Sequence, residues 1–383
     1  MKKRIGCALL AALLLCPGAL GEEMPTLILR NGREAAVRQW EKRGGFRLEY
    51  GIYDGEISLT EHLRGENPPD LVLVSTYSDD WTGLMEAGLL ADLSGNAVLR
   101  ERVADLRPEM RALLLPTDGT IYGLPYLLSP IASLYRVPES WQAAGLPETD
   151  APSSYEELLD FLARWLESPR PGFCFFPRLE EGNNASHTAT LLKMLETAWD
   201  AQCQYAREQA VFSDPRFIAL ARRALSLGRT LDGIRENPQE LPLFYPRNSW
   251  GTTASGQQVT LDDLLPCRIT AEQPPLWPLN AELQCVRAGG PWEAACVELT
   301  AEAAELQLAW ALPLLFPGPW RAEDMPGGAG FTQAWLDSLE RCPLTPCLPR
   351  RIAWGEKTTA LRRRLIRAEI TAEEYAAALD TLR

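Results

Sequence analysis

This chain is short of the groups that make and break bonds. Of its 383 residues only two are histidine, His62 and His187. Neither stands in an H-E-x-x-H or H-x-x-x-H spacing, which disfavours a zinc enzyme or a histidine-rich metal binder, and His62 reads as part of a solvated helix face. No G-x-S-x-G elbow, S-x-x-K pair or G-x-x-x-x-G-K-[ST] loop occurs, so serine-hydrolase and nucleotide chemistry lack their nucleophile and their phosphate cradle. "MPGGAGF" around Gly328 is glycine-rich, but it has neither that spacing nor a strand before it and reads as a loop. The pattern calls for no catalytic residue, no metal and no cofactor.

Carboxylates and aromatic rings are in better supply. Asp79 and Asp80 follow an apolar strand that ends at Ser75, a position suited to a cleft. There one of them would accept hydrogen bonds from hydroxyls or pair with a cationic solute; alternatively Ser78 or Asp79 caps the next helix. Twelve tryptophans and ten tyrosines offer faces on which flat, partly apolar ligands stack. Trp40, Trp165 and Trp310 recur with other apolar residues at helical spacing and are assigned to packing. Tyr77, Tyr126, Trp250 and Trp277 lie among Gly, Ser, Asn and Pro, in loops or at strand ends where a ring can face a cleft. Tyr126 and Ser129 belong to "GTIYGLPYLLSP", Gly119 to Pro130, a strand that Pro125 and Pro130 interrupt. Proline removes a ladder donor, so this strand suits a sheet edge or a crossing between sheets.

The elements that would position these residues follow from periodicity. "TLILR" is a buried strand, "NGREAAVRQWEKRGG" a helix, "FRLEYGIYD" a period-two strand, "ISLTEHLRG" a short helix, "DLVLVS" an apolar strand and "DDWTGLMEAGLLADLS" a helix. This β-α-β-α-β-α order implies parallel strands in an open α/β sheet, with ligands beyond the strands' carboxyl ends. From Ser153 the chain turns helical: "SSYEELLDFLARWLES" opens with a capping-box pattern, and two longer helices follow. After the irregular "WGTTASGQQV" and "AEQPPLWPLN", "AELQCVRAG" reads as a strand, "PWEAACVELTAEAAELQLAWALPL" as a helix, and "TAEEYAAALDTLR" as a helix opened by Thr371 and Glu374.

The first residues, "MKKRIGCALLAALLLCPGALGEE", combine a basic start, an apolar stretch and the small-residue pattern Ala19-Leu20-Gly21, the marks of a secretory signal over 1–21. A lipid anchor on Cys16 competes with cleavage after Gly21; the large Leu15 and the following Pro17 favour cleavage. The formal net charge of −13 excludes nucleic acid as a natural partner, since phosphate would be repelled. Cys342 and Cys347 flank "PLTP" and could bridge, while Cys174, Cys203, Cys267, Cys285 and Cys296 show no scaffold or zinc spacing and read as buried thiols. The basic run "KTTALRRRLIRAE" reads as a solvated helix face.

Several segments in order resemble extracellular solute-binding proteins of ABC importers, the sugar-type group with the type II periplasmic-binding fold. They are "PPDLVLVS…DWTGLMEAGLLADLS", "DGTIYGLPYLLSPIASLYRVPESWQAAGL", "SSYEELLDFLARW", "GPWEAACVEL" and "AEITAEEYAAALDTL". The resemblance implies an α/β fold of two hinged lobes, each a mostly parallel sheet flanked by helices. One lobe would comprise 22–128 with 282–335, and the other 129–281 with 336–383, the last helices packing on either. It implies a non-enzymatic, exported monomer that captures a small solute, a carbohydrate foremost, between the lobes and hands it to an ABC permease. Membrane contact would come only through that permease or a lipid anchor. Tyr77, Asp79, Asp80, Tyr126, Ser129, Trp250 and Trp277 are the expected ligand contacts. Departures such as "SPIASLYR" and the short middle segment leave the ligand class open. A secreted carbohydrate-active hydrolase using two carboxylates about 5 to 9 Å apart, or a binding protein repurposed as sensor or scaffold, are the alternatives.

Overall fold

The computed structural model describes residues 26–29, 49–52, 58–76, 81–115, 119–130, 133–177, 186–235, 237, 239–247, 260–307, 315–324, 332–341, 344–346 and 354–382. The elements in chain order are β1 (Thr26–Leu29), β2 (Glu49–Ile52), α1 (Leu59–Leu63), β3 (Leu71–Ser75), α2 (Trp81–Glu86), α3 (Ala97–Asp105), α4 (Pro108–Leu114), β4 (Leu124–Pro130), β5 (Ser133–Arg136) and α5 (Pro138–Ala143). They continue with α6 (Tyr155–Glu167), β6 (Phe173–Cys174), α7 (His187–Ala206), α8 (Pro215–Asp232), β7 (Leu241–Pro242), β8 (Phe244–Arg247), β9 (Trp277–Val286), α9 (Glu293–Gln307), α10 (Gln333–Arg341), β10 (Leu344–Pro346), α11 (Trp354–Ile366) and α12 (Ala372–Thr381).

Two hydrophobic cores organise these elements. The first gathers the apolar run of β3, in which Leu71, Val72 and Val74 are wholly buried, with Leu124 and Leu128 of β4, alternate residues of β9, and the inner faces of α2, α3, α4 and α9. The second gathers Leu158, Leu159, Leu162 and Trp165 of α6, Leu191, Leu192 and Leu195 of α7, Phe217 and Ala221 of α8, and Leu365, Tyr375, Ala376 and Leu379 of α11 and α12. In its centre Trp141 stacks on Phe161 at 5.0 Å, and Phe175 meets Phe244 at 5.1 Å.

The first sheet runs β10-β9-β3-β1-β2, with β4 on the other side of β9. β1 pairs parallel with both β2 and β3, as the alternation of strand and helix demands. β9, by contrast, runs antiparallel to β3 and β4, returning the chain into a sheet it had left. Among the described residues β4 pairs only with β9, so Pro125 and Pro130 sit on an edge strand where missing donors cost least. Gly123, just before β4, has a different reason: a Cβ there would stand 2.6 Å from Cys285 Sγ and 3.2 Å from the Gln284 carbonyl oxygen. The glycine is what lets β4 lie against β9.

Two further sheets have two strands each. β6 pairs parallel with β7, β8 pairs antiparallel with β5, and Leu265 N donates to the Leu134 carbonyl on the far side of β5. The chain leaves the first sheet after Pro130 and enters β5 at Ser133, returns to the first sheet at Trp277, and leaves it again after Pro346. Positions 281/282 lie within β9 and 335/336 within α10. Trp335, Leu336 and Leu339 all pack in the first core, because the apolar stripe of one helix cannot serve two cores at once.

Capping chemistry places the helix starts. Ser154 caps α6 by accepting from Glu157 N, while the Glu157 carboxylate reaches back one residue further than a capping box, to Ser153 N and Oγ at 2.8 Å. Thr371 and Glu374 close a full capping box on α12. Ser58 and Glu61 do the same on α1, a pattern present in "SLTE" that the sequence reading passed over.

Candidate functional site

The carboxyl ends of β3 and β4 and the start of β9 lie side by side, because β9 runs against both. At this rim Ser75 Oγ donates to Asn280 Oδ1 at 3.0 Å, and Thr76 Oγ1 approaches the same oxygen at 3.5 Å. Thr76 Oγ1 in turn accepts from Ala281 N at 3.1 Å, and Thr76 N donates to the Ala281 carbonyl at 2.9 Å. The orientation of the Asn280 amide follows: its oxygen is committed to the two hydroxyls, so its donor side faces away from β3. Ser129 stands opposite Asn280 on β4, and Glu282 stands opposite both Ser75 and Leu127. Asn280 and Glu282 are half-buried, whereas Ser75 and Thr76 are buried.

Of the residues expected at the site, Tyr77, Asp79, Asp80 and Trp250 lie outside the described residues. Tyr126 occupies the irregularity in β4: Pro125 pairs with Leu283 and Leu127 with Glu282, leaving Tyr126 as the extra residue of a bulge. Ser129 falls on the rim beside Asn280. Trp277 is the half-buried first residue of β9, packed against the first core, with a buried indole Nε1 that has no hydrogen-bond partner. Sequence reasoning missed Ser75, Thr76, Asn280 and Glu282. A signal was available, since Asn280, Glu282 and Gln284 alternate with Ala281, Leu283 and Cys285, the period-two mark of a strand with one polar face.

Beyond the passage from Pro130 to Ser133 come the two-stranded sheets β5-β8 and β6-β7. Beyond β6, α7 begins at His187 behind the N-cap Ser186, whose hydroxyl accepts from Ala189 N. The Asp232 carboxylate, from the last residue of α8, completes the cap. Its Oδ1 accepts from His187 N at 2.8 Å and meets His187 Nδ1 at 2.9 Å, and its Oδ2 accepts from Thr188 N at 3.3 Å and Thr188 Oγ1 at 2.6 Å. Burial alone would raise its pKa, but the His187 and Thr188 hydrogen bonds outweigh this and hold it at about 2. The negative charge also sits at the positive end of α7. The two helices come this close because α8 carries Gly228, where a Cβ would lie 2.6 Å from Thr188 Cα.

Other titratable groups serve packing. Glu196 is buried with Arg362 and Tyr375 as partners, tying α11 and α12 to α7. Burial pushes the Cys267 and Cys296 thiols up to about 12, which leaves them inert; of the five thiols expected to be buried, Cys285 and Cys296 are, while Cys174, Cys203 and Cys267 are half-buried. Cys174, Cys203 and Cys285 are likewise unbridged, and Cys342 and Cys347 lie outside the described residues. Among the described residues no three His, Cys, Asp or Glu side chains are grouped to hold a metal ion, and no helix is long and apolar enough to cross a membrane.

Neither a protein-family model nor a curated protein sequence matches the chain. Solved structures do. An ABC transporter solute-binding protein from Thermotoga lettingae, bound with α-D-tagatose, is similar over 94% of this chain and 99% of its own, at 16% identity and a TM-score of 0.62. The fold is that of the two-lobed solute-binding proteins. Two more carriers of this solute-binding fold are an ABC substrate-binding protein from Listeria monocytogenes in complex with cycloalternan, at 14% identity, 93% and 97% coverage and a TM-score of 0.61, and a solute-binding protein from Agrobacterium vitis with bound D-mannitol, at 15%, 94% and 97%, and 0.59.

Proposed function

We propose that this chain is a non-enzymatic, exported solute-binding protein that captures a polyhydroxylated solute between its lobes and delivers it to an ABC permease. The rim of hydroxyl, amide and carboxylate groups at the carboxyl ends of β3 and β4 carries this reading, because it offers donors and acceptors without a nucleophile or an acid–base pair. The ligands named for the similar structures, a ketohexose, a cyclic oligosaccharide and a sugar alcohol, are polyhydroxylated molecules that such a rim suits. On this reading the lobes exchange at Pro130–Ser133, Leu276–Trp277 and between Pro346 and Trp354, and Tyr126, Ser129, Trp277, Asn280 and Glu282 contact the ligand, Tyr77, Asp79, Asp80 and Trp250 being further proposed contacts. Contacts made by both lobes exist only when the hinge is closed, so ligand shifts the population toward closure. The amino-terminal signal would direct export, and the protein would work as a monomer at the cell surface or beyond it.

A thermal-shift screen of the chain lacking 1–21 tests this against sugars, polyols, oligosaccharides, amino acids, peptides and polyamines. A ligand at about a hundred times its Kd adds about 2.7 kcal/mol of stability, so a sugar or polyol is expected to raise the melting point. A response confined to amino acids or polyamines would overturn the carbohydrate assignment, and turnover of chromogenic glycosides would favour the hydrolase.

A further inference from the structure

The chain has five lysines: Lys2, Lys3, Lys42, Lys193 and Lys357. Lys193 is half-buried on α7, three residues before Glu196, so the two side chains leave the same face of the helix. α11 brings Arg362 to this face and α12 brings Tyr375. Each oxygen of the Glu196 carboxylate already has a partner, since Arg362 Nη1 donates to Oε2 and the Tyr375 hydroxyl to Oε1. The other neighbouring helices supply no second carboxylate: Tyr155 of α6 donates to the Leu191 carbonyl at 2.8 Å, and Arg223 of α8 is paired with Asp160. Among the described residues Lys193 forms no ion pair of its own. The cluster thus sets two cations against one carboxylate where charge is poorly solvated. A guanidinium does not give up its proton, so the excess is relieved at the Lys193 amine. Burial first, and then the Arg362 charge, bring its pKa down from 10.5 to about 8, against an upward pull from Glu196.

We propose that Lys193 is a site of covalent modification, a nucleophilic amine that accepts the acyl group of a small acyl phosphate ahead of the exposed Lys357. The Nζ lone pair attacks the acyl carbon, and the bond from that carbon to the phosphate oxygen breaks with its electron pair. The proton lost by nitrogen goes to the departing phosphate, leaving an amide on Lys193 and inorganic phosphate in solution. The product suits its surroundings, because an amide nitrogen carries no charge beside Arg362, whereas alkylation would keep the cation. Half-burial limits the donor to a small one, such as an acetyl group. The bonds from Arg362 and Tyr375 to Glu196 do not involve the Lys193 amine, so the modified chain keeps the contacts that tie α11 and α12 to α7. The inference stands on this cluster and is independent of which solute the protein binds.

The scarcity of lysines makes the test direct. The full chain is treated with acetyl phosphate between about pH 7 and 10, and the acetylated fraction of each lysine is read by peptide mass spectrometry. At about pH 7.5 an amine of pKa about 8 is roughly one-quarter free, against about one in a thousand for a hydrated lysine. Lower basicity and half-burial offset part of this advantage, so Lys193 is expected to react about tenfold faster than Lys357. Its rate is expected to level off between about pH 8 and 9, whereas a hydrated lysine keeps gaining to about pH 10. In the urea-unfolded chain the preference is expected to vanish, because the cluster that creates it is gone. Lys193 reacting no faster than Lys357 in the folded chain would overturn the inference. So would a Lys193 rate that climbs undiminished to about pH 10, or a preference that survives unfolding.

Discussion

Asp232→Asn keeps the shape of the side chain at the α7–α8 junction and removes its charge. The carboxylate accepts from two backbone N–H groups and the Thr188 hydroxyl and faces the His187 ring, and these bonds bring its pKa from 3.8 to about 2. That lowering is a stability contribution: it is fully present above the unfolded-state value near 3.8 and is lost as pH falls toward 2, where folded and unfolded chains are equally protonated. At about 1.4 kcal/mol per pH unit the difference is about 2 kcal/mol. With 23% of the side chain in contact with solvent, screening trims it to about 1–2 kcal/mol. Urea unfolding of the parent and the variant, followed by circular dichroism, is expected to show this gap unchanged from pH 7 to about 5 and narrowing steadily below pH 4. A gap that is absent at pH 7, or that persists undiminished in acid, would refute the assignment of the stabilisation to the ionised carboxylate.

Four further outcomes follow from the same contacts. Gly123→Ala places a methyl 2.6 Å from Cys285 Sγ and is expected to cost about 1–3 kcal/mol, with Cys285→Ala restoring part of the melting temperature in the double variant. Gly228→Ala meets the Thr188 backbone Cα instead; its cost is similar, but Thr188→Ala, which leaves that atom in place, restores little. Arg362→Met leaves the buried Glu196 carboxylate without its cation and is expected to cost about 3–5 kcal/mol by chemical denaturation, with Arg362→Met combined with Glu196→Leu closer to the parent than the single change. Asn280→Ala removes the acceptor shared by Ser75 and Thr76 and is expected to weaken the solute found in the thermal-shift screen about 3- to 10-fold by calorimetry, the worth of one neutral hydrogen bond, while the melting point without ligand falls only slightly.

The elements closest to their local rules were legible in advance. "DLVLVS" is an apolar run preceded by two prolines and became β3, buried along its whole length. "SSYEELLDFLARW" carries its own cap and a helical apolar stripe and became α6. The prolines of "GLPYLLSP" marked an edge strand at the passage between sheets, because a missing N–H is a local fact with a topological consequence. The sequence also excluded the common catalytic constellations, since these need particular residue types at particular spacings.

What it could not disclose were relations between segments far apart in the chain. Ser75 and Asn280 meet only because β9 pairs antiparallel with β3, a contact across 205 positions. The polarity of β9 shows in its alternation, but which neighbours it acquires depends on two cores forming and on where the chain crosses between them. Asp232 likewise reads as an ordinary helix end until packing brings it to the start of α7, and Gly228 as a weak helix former until Thr188 lies against it. Period and capping act over a few residues and are written in the sequence. Close approach, burial and shared protons are set by the distances between elements, and those exist only in the folded chain.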